Sequence, residues 1–345
     1  MAILCILLVI AALAITSRQL APGRQQSALA PPVVHALAPA MNQGLSDEPD
    51  YPRSVRFSQY STSMLARGGV GTVFRSVHPD SGTVYAIKQL SKQFVRDQVV
   101  IDAFHRGVAM LMQLRHPNIV RVYYDWVEPG DGCQEHYAIM EFLSGETLHD
   151  LVRREAPLSV DDRFMSLVTS IGEAVSYLHS HEIIHRDIKP ENFRFSNGRF
   201  KLLDFDTAVH RLHRGMLHQD GLPIGTPEYM SPEQARGAVD IDPRTDVYSF
   251  GMLIYELLTG TVPFTGAPSR VLIDQMESVP TPPKSINPQL PPSISSIILM
   301  ALNKERDRRF QSISAVLTAL RSAYSAERPT VFPTANGGNE EATTE

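Results

Sequence analysis

Asp187, Asn192 and Asp204 stand close together in the stretches HRDIKPEN (185–192) and KLLDFD (201–206). One carboxylate could orient a hydroxyl nucleophile and accept its proton, while an amide oxygen and a second carboxylate are hard ligands suited to Mg2+ or Mn2+. Upstream lies the glycine-rich run LARGGVGTV, comprising Leu65, Ala66, Arg67, Gly68, Gly69, Val70, Gly71, Thr72 and Val73. Its glycines would let backbone amides approach phosphate oxygens, and Val73 could cover an adenine ring. By itself such a turn is as often only a tight hairpin. The following YAIK puts Lys88 on a strand, with Ala86 two residues earlier on the same face, where a cation could reach the α- and β-phosphates of a nucleotide. A lone strand lysine is usually a solvated charge, so both features gain weight from the company they keep.

Two kinds of segment must position these groups. Between Ser58 and about Leu143, short β-branched and aromatic runs such as VYAIKQL and IVRVYYDWV alternate with the turn signals HPDSGT and EPGDG, the pattern of an antiparallel sheet. One helix interrupts it, expected from about Gln98 to Leu114, where Val99, Phe104, Val108, Leu111, Met112 and Leu114 recur at near-helical spacing. From about Thr147 the pattern becomes long amphipathic helices, among them DDRFMSLVTSIGEAVSYLHSH, TDVYSFGMLIYELLTG and SISSIILMALN.

Composition bounds the rest. With 345 residues, 43% apolar and 20% charged, the chain can build two packed lobes with flexible ends. A net charge of -5 supplies no basic field for nucleic acid phosphates, so nucleic acid is not an expected partner. Cys5 and Cys133 sit in unrelated contexts and outline neither a disulfide framework nor a metal site. From Ala2 to Ile15 every residue is apolar, the first charge is Arg18, and Arg24 follows. Membrane association through residues 2–17, leaving the C-terminal side in the cytoplasm, fits the positive-inside rule. A cleaved signal, with Ala28-Leu29-Ala30 as its site, is the open alternative. The expected organisation is an apolar segment (1–18), a Pro/Ala-rich linker (19–55), a folded unit (56–325, divided at 143/144) and a disordered acidic tail (326–345).

In HRDIKPEN and the succeeding KLLDFD, with the glycine loop and YAIK in order before them, the sequence resembles the protein kinase family from roughly Ser58 to Ser322. The resemblance implies a bilobal α+β fold: a small antiparallel sheet with one helix, then a larger, mainly helical lobe. It implies ATP as co-substrate, protein substrates, a divalent cation on Asn192 and Asp204, and catalytic roles for Asp187, Lys88 and Lys189. Lys189 marks the serine/threonine branch, where it would neutralise the γ-phosphate. Met140 would back the adenine pocket, and the Glu141 carbonyl and Leu143 amide would bind the adenine edge. In GTPEYMSPE, Thr226 falls in the substrate-docking loop, and Glu233 is expected to pair with Arg309; Asp246 should anchor the catalytic-loop backbone. The blocks DVYSFGMLIYELLTG and KERDRRF are most similar to bacterial-type members.

Three departures stand out. Counting back from HPN, Gly107 occupies the position of the helix glutamate that pairs with the strand lysine in the family, and this helix has no glutamate. Asp102 or Asp97 would substitute only if the helix were rotated or shifted. The metal-binding triplet reads Asp204-Phe205-Asp206, with aspartate where glycine is usual; Asp206 either supports the metal site or, the reading taken here, points to solvent. The activation segment from Ala208 to Gly225 contains no Ser, Thr or Tyr, so a phosphate for Arg186 cannot form in its middle, and Asp220 is a candidate replacement. His210, His213 and His218 read as a solvated loop. An active kinase is the leading expectation, and a nucleotide-binding pseudokinase or scaffold the alternative.

Overall fold

The computed structural model describes residues 55–210, 223 and 225–327. The apolar segment, nearly all of the linker and nearly all of the tail lie outside the described residues, as do positions 211–222 of the activation segment. Among the described residues no helix is long and apolar enough to cross a membrane.

The small lobe is a five-stranded antiparallel sheet in the order β1-β2-β3-β5-β4. The strands are β1 (Ser61–Arg67), β2 (Gly71–Val77), β3 (Val84–Leu90), β4 (Val122–Pro129) and β5 (Gln134–Glu141). Strand alternation sorts VYAIKQL onto two faces. Tyr85 and Ile87 join Tyr60, Tyr137 and Ile139 in an outer cluster, against which Val55, Phe57, Tyr123, Tyr124 and Trp126 pack. Phe57 stacks on Tyr137 at 4.7 Å between ring centroids, and Trp126 stacks on Tyr137 at 5.0 Å. Glu128 Oε1 joins this cap by accepting from the Phe57 amide at 2.8 Å and from Trp126 Nε1 at 2.7 Å. Ala86 and Lys88 take the opposite face, opposite Met140 and Ala138 on β5.

Helix α1 (Gln98–Gln113) covers part of that inner side, burying Phe104, Val108 and Leu111 at spacings of four and three. Asp97 caps it by accepting from the amides of Val99 and Val100 at 3.0 and 3.3 Å. Its end leads into HPN, where Asn118 and Val120 bond to the backbone of Leu202 in the large lobe: Leu202 N donates to Asn118 O at 2.8 Å and Val120 N to Leu202 O at 3.0 Å. The position of α1 is thereby tied to the segment that runs into Asp204.

The large lobe contains α2 (Leu148–Glu155), α3 (Asp162–Ser180), α4 (Pro232–Ala235), α5 (Arg244–Thr259), α6 (Pro268–Glu277), α7 (Pro283–Ile286), α8 (Pro292–Ala301) and α9 (Ile313–Glu327). Helix α9 runs two residues into the expected tail. Every residue of α5 from Thr245 to Thr259 is buried, the mark of a helix enclosed on all sides. Two short ribbons carry the polar loops: β6 (Ile183–Ile184) with β9 (Val209–His210), and β7 (Phe193–Ser196) with β8 (Arg199–Leu202). This is the bilobal α+β arrangement expected from the sequence.

Candidate active site

The loop between β6 and β7 holds Asp187. Its placement starts from Asp246 on α5, a fully buried carboxylate whose oxygens accept from the consecutive amides of His185 and Arg186, each at 2.9 Å, and from His179 Nε2 at 2.8 Å. Burial raises the Asp246 pKa, and the His179 hydrogen bond and the nearby histidines outweigh it, so the carboxyl is held below its ordinary range. Arg186 takes the left-handed φ of 68°, a conformation that costs a non-glycine residue about 1–3 kcal/mol and must be held by its surroundings. Gln234 Nε2 donates to its carbonyl at 2.7 Å, and its own Nε donates to Thr207 O at 2.5 Å. Burial lowers the guanidinium to about 10, against the opposing Asp246 charge. Asp220, suggested for this arginine by the sequence, lies outside the described residues.

Around Asp187 four donors converge. Oδ1 accepts from the amide and hydroxyl of Thr226 at 3.0 and 2.8 Å; Oδ2 receives Lys189 Nζ at 2.7 Å and Asn192 Nδ2 at 3.1 Å. Lys189 also donates to Thr226 Oγ1 at 2.5 Å. The Asn192 amide nitrogen donates to the Asp187 carbonyl too, at 2.8 Å, so its carbonyl oxygen is the atom left to serve as a ligand.

The second cluster spans the two lobes. Lys88 Nζ lies 3.2 Å from Asp204 Oδ1 and 2.6 Å from Asp206 Oδ1. Burial pulls the Lys88 pKa down, but the two carboxylates outweigh it and drive it well above the ordinary lysine value. Partial burial raises Asp204 and the Lys88 charge overrides this, holding it at about 2; for Asp206, burial and the Asp204 charge prevail over Lys88 and push it up to about 6. Asp206 nevertheless makes the shorter contact, and two carboxylates around one ammonium titrate as a set. The expectation that Asp206 points to solvent is therefore corrected: three quarters of its side chain is covered and it grips the lysine. The positive φ in this triplet belongs to Asp204, at 53°, and not to Asp206, so a side chain is tolerated where the family uses glycine. Neither Asp97, which caps α1, nor Asp102, which accepts from Gln98 Nε2 at 2.7 Å, reaches Lys88.

The glycine run forms the β1–β2 hairpin, with Leu65 to Arg67 on β1, Gly68 to Val70 in the turn and Gly71 to Val73 on β2. Gly68 N donates to Gly71 O at 2.8 Å. A Cβ on Gly71 would meet Gln89 O at 2.5 Å and the Lys88 side chain at 3.6 Å, so glycine is required for the hairpin to lie against β3. Glu141 ends β5 and turns its carboxylate to Lys201 Nζ at 2.6 and 2.7 Å. Leu143 follows, buried. Behind the site, Arg309 and Glu233 form a bidentate pair, Nη1 to Oε1 and Nη2 to Oε2, both at 2.8 Å, as expected from the sequence.

Residues 61–323 match the protein kinase domain family. The chain belongs to that family. The kinase domain is 33% identical, over 76% of this chain, to a probable serine/threonine-protein kinase PknB of Lactococcus lactis, and 36% identical, over 72%, to a probable serine/threonine-protein kinase of Streptomyces coelicolor. It is 34% identical, over 71%, to the serine/threonine-protein kinase PknB of Mycolicibacterium smegmatis. These alignments cover 42%, 37% and 39% of the respective relatives, so the chain spans about two fifths of their length. The kinase domain is thus similar to bacterial serine/threonine kinases, in line with the sequence reading. Sequence reasoning flagged Asp206 but missed its partner, because the contact joins residues 118 positions apart.

Proposed function

We propose that this chain is an ATP-dependent serine/threonine protein kinase, which transfers the γ-phosphoryl group of ATP to Ser or Thr hydroxyls of protein substrates. The supporting observation is the environment of Asp187, whose carboxylate is held by Lys189, Asn192 and Thr226 at 2.7 to 3.1 Å. A carboxylate fixed in this way can accept a hydrogen bond from an incoming hydroxyl and take its proton as the phosphoryl group transfers. Lys189, ion-paired to Asp187, would neutralise the γ-phosphate charge that gathers beside it. Lys88 would engage the α- and β-phosphates, with Leu65 to Val73 folding over them; Val73 and Ala86 would flank the adenine, whose edge the Glu141 carbonyl and Leu143 amide would bind.

The Asn192 carbonyl and the Asp204 carboxylate would supply oxygen ligands of the kind that suit Mg2+, with Mn2+ as the alternative; Asp204 keeps nearly half its side-chain surface exposed. A cation there would offset charge on the phosphate oxygens. Residues 2–17, apolar from Ala2 to Ile15 and followed by Arg18 and Arg24, support membrane attachment of the whole chain, with a cleaved signal as the alternative; fractionation with and without that segment separates them.

The test is γ-phosphate transfer by the purified chain with Mg2+ or Mn2+ beside an Asp187→Asn control. Transfer that disappears in the control supports the kinase reading. Thermal stabilisation by nucleotide without any transfer would instead establish a pseudokinase or scaffold, the reading that the glycine at 107 brings to mind.

A further inference from the structure

Gly107 and Asp206 are separate departures in sequence but neighbours in space. A Cβ built on Gly107 would stand 3.4 Å from the carbonyl oxygen of Phe205, so the face of α1 at this position lies against the metal-loop backbone. The residue that follows this carbonyl is Asp206, whose Oδ1 sits 2.6 Å from Lys88 Nζ. The helix position that lost a carboxylate and the loop position that gained one therefore meet across a single peptide. Asp206 can carry its side chain because its φ is not positive, and Phe205, 3% exposed and edge-on to the His185 ring at 4.8 Å, fixes the loop that bears it.

We propose that Asp206 is the positioning residue for Lys88, supplying from the metal loop the carboxylate that kinases of this family carry on the helix. The proposal rests on the kinase reading for its consequence, since the positioned ammonium is the one assigned to the nucleotide phosphates. Lys88 has three donors; Asp204 and Asp206 take two in this arrangement, and both come from one short loop. With Asp204 engaged by a cation, Asp206 would still hold the lysine. Placement of Lys88 then depends on the metal loop and no longer on the rotation of α1, so a helix swing that would break the usual ion pair leaves this one intact.

The experiment moves the carboxylate back. In the full chain, kcat and the KM for ATP are measured for the parent, Asp206→Gly, and the double variant Gly107→Glu with Asp206→Gly, beside Lys88→Met as the floor. Asp206→Gly is expected to lower kcat on the order of tenfold to hundredfold, the scale of a misplaced reacting group, and the double variant to recover most of it. A structural role alone would not be rescued from the helix. Independently of turnover, melting temperatures of Lys88→Met, Asp206→Gly and their combination are compared; shifts that fail to add support the coupling. Additive shifts, an Asp206→Gly variant within twofold of the parent, or a loss that Gly107→Glu does not restore would overturn the proposal. If the parent transfers no phosphate, the kinase reading fails while the melting cycle still decides whether Asp206 holds Lys88.

Discussion

Thr226 gives both its backbone amide and its hydroxyl to Oδ1 of Asp187, at 3.0 and 2.8 Å. The hydroxyl also accepts from Lys189, so one side chain is bonded both to the carboxylate proposed as proton acceptor and to the cation beside it. Thr226→Val keeps the shape and the amide but deletes both hydroxyl bonds. It should lower kcat about tenfold with little change in the KM for ATP, because under the proposed function the missing interactions surround the proton acceptor and not the bound nucleotide. Thr226→Ser should retain most of the activity. Steady-state kinetics of the two variants with a protein substrate check this.

The buried pair of Glu233 and Arg309 should dominate the stability of the large lobe. Thr245 Oγ1 also donates to Glu233 Oε1 at 2.8 Å, and the Arg309 guanidinium lies 5.0 Å from the Tyr248 ring centre. Glu233→Ala leaves a fully buried guanidinium uncompensated, a loss of about 3–5 kcal/mol. For a domain of this size that is a fall in melting temperature of roughly 10 °C, measurable by calorimetry. Arg309→Met, which removes the cation but leaves a buried carboxylate, should be comparably damaging.

The family match begins at Ser61, yet the outer face of the sheet is closed by residues before it. Tyr60 is 5% exposed and Phe57 stacks on Tyr137. Burying an aromatic side chain contributes about 1.5–3 kcal/mol, so a chain begun at residue 61 should melt several degrees below one begun at residue 50. Scanning calorimetry of the two fragments provides the comparison.

His185 links stability to pH. Its ring is fully buried, and burial lowers its pKa against the pull of Asp246 and other carboxylates. The folded chain therefore keeps this ring neutral where the unfolded chain protonates it, at about 6.5. Below that value the unfolded state binds more protons, so stability present above pH 6.5 is lost as the pH falls toward the lower folded value. Melts at pH 7.5 and 5.5 should show a drop that is smaller in His185→Asn.

The helices were legible because their signal is local: the near-helical recurrence of Phe104, Val108 and Leu111 in α1, and the amphipathic run DDRFMSLVTSIGEAVSYLHSH in α3. In HRDIKPEN, Lys189 and Asn192 lie two and five positions from Asp187 and so had to be near it, whereas Thr226, 39 positions on, is brought to it by the fold. Asp206 was misjudged because its direction is set by a contact with Lys88, 118 positions away, which spacing does not encode. The cap of Phe57 and Trp126 on Tyr137, and the His105 ring that bridges Asp125 and His136 between α1 and the sheet, escaped for the same reason.

Asp246 fastens two successive amides just ahead of Asp187 to a helix enclosed on every side, whereas all seven residues of β1, which lead into the glycine turn, are exposed. The reaction centre is consequently stiff on one side and compliant on the other. Under the proposed function, the proton acceptor shares the rigidity of the large lobe's core and would be displaced only with that core, while the exposed hairpin would be free to admit and release nucleotide without disturbing it.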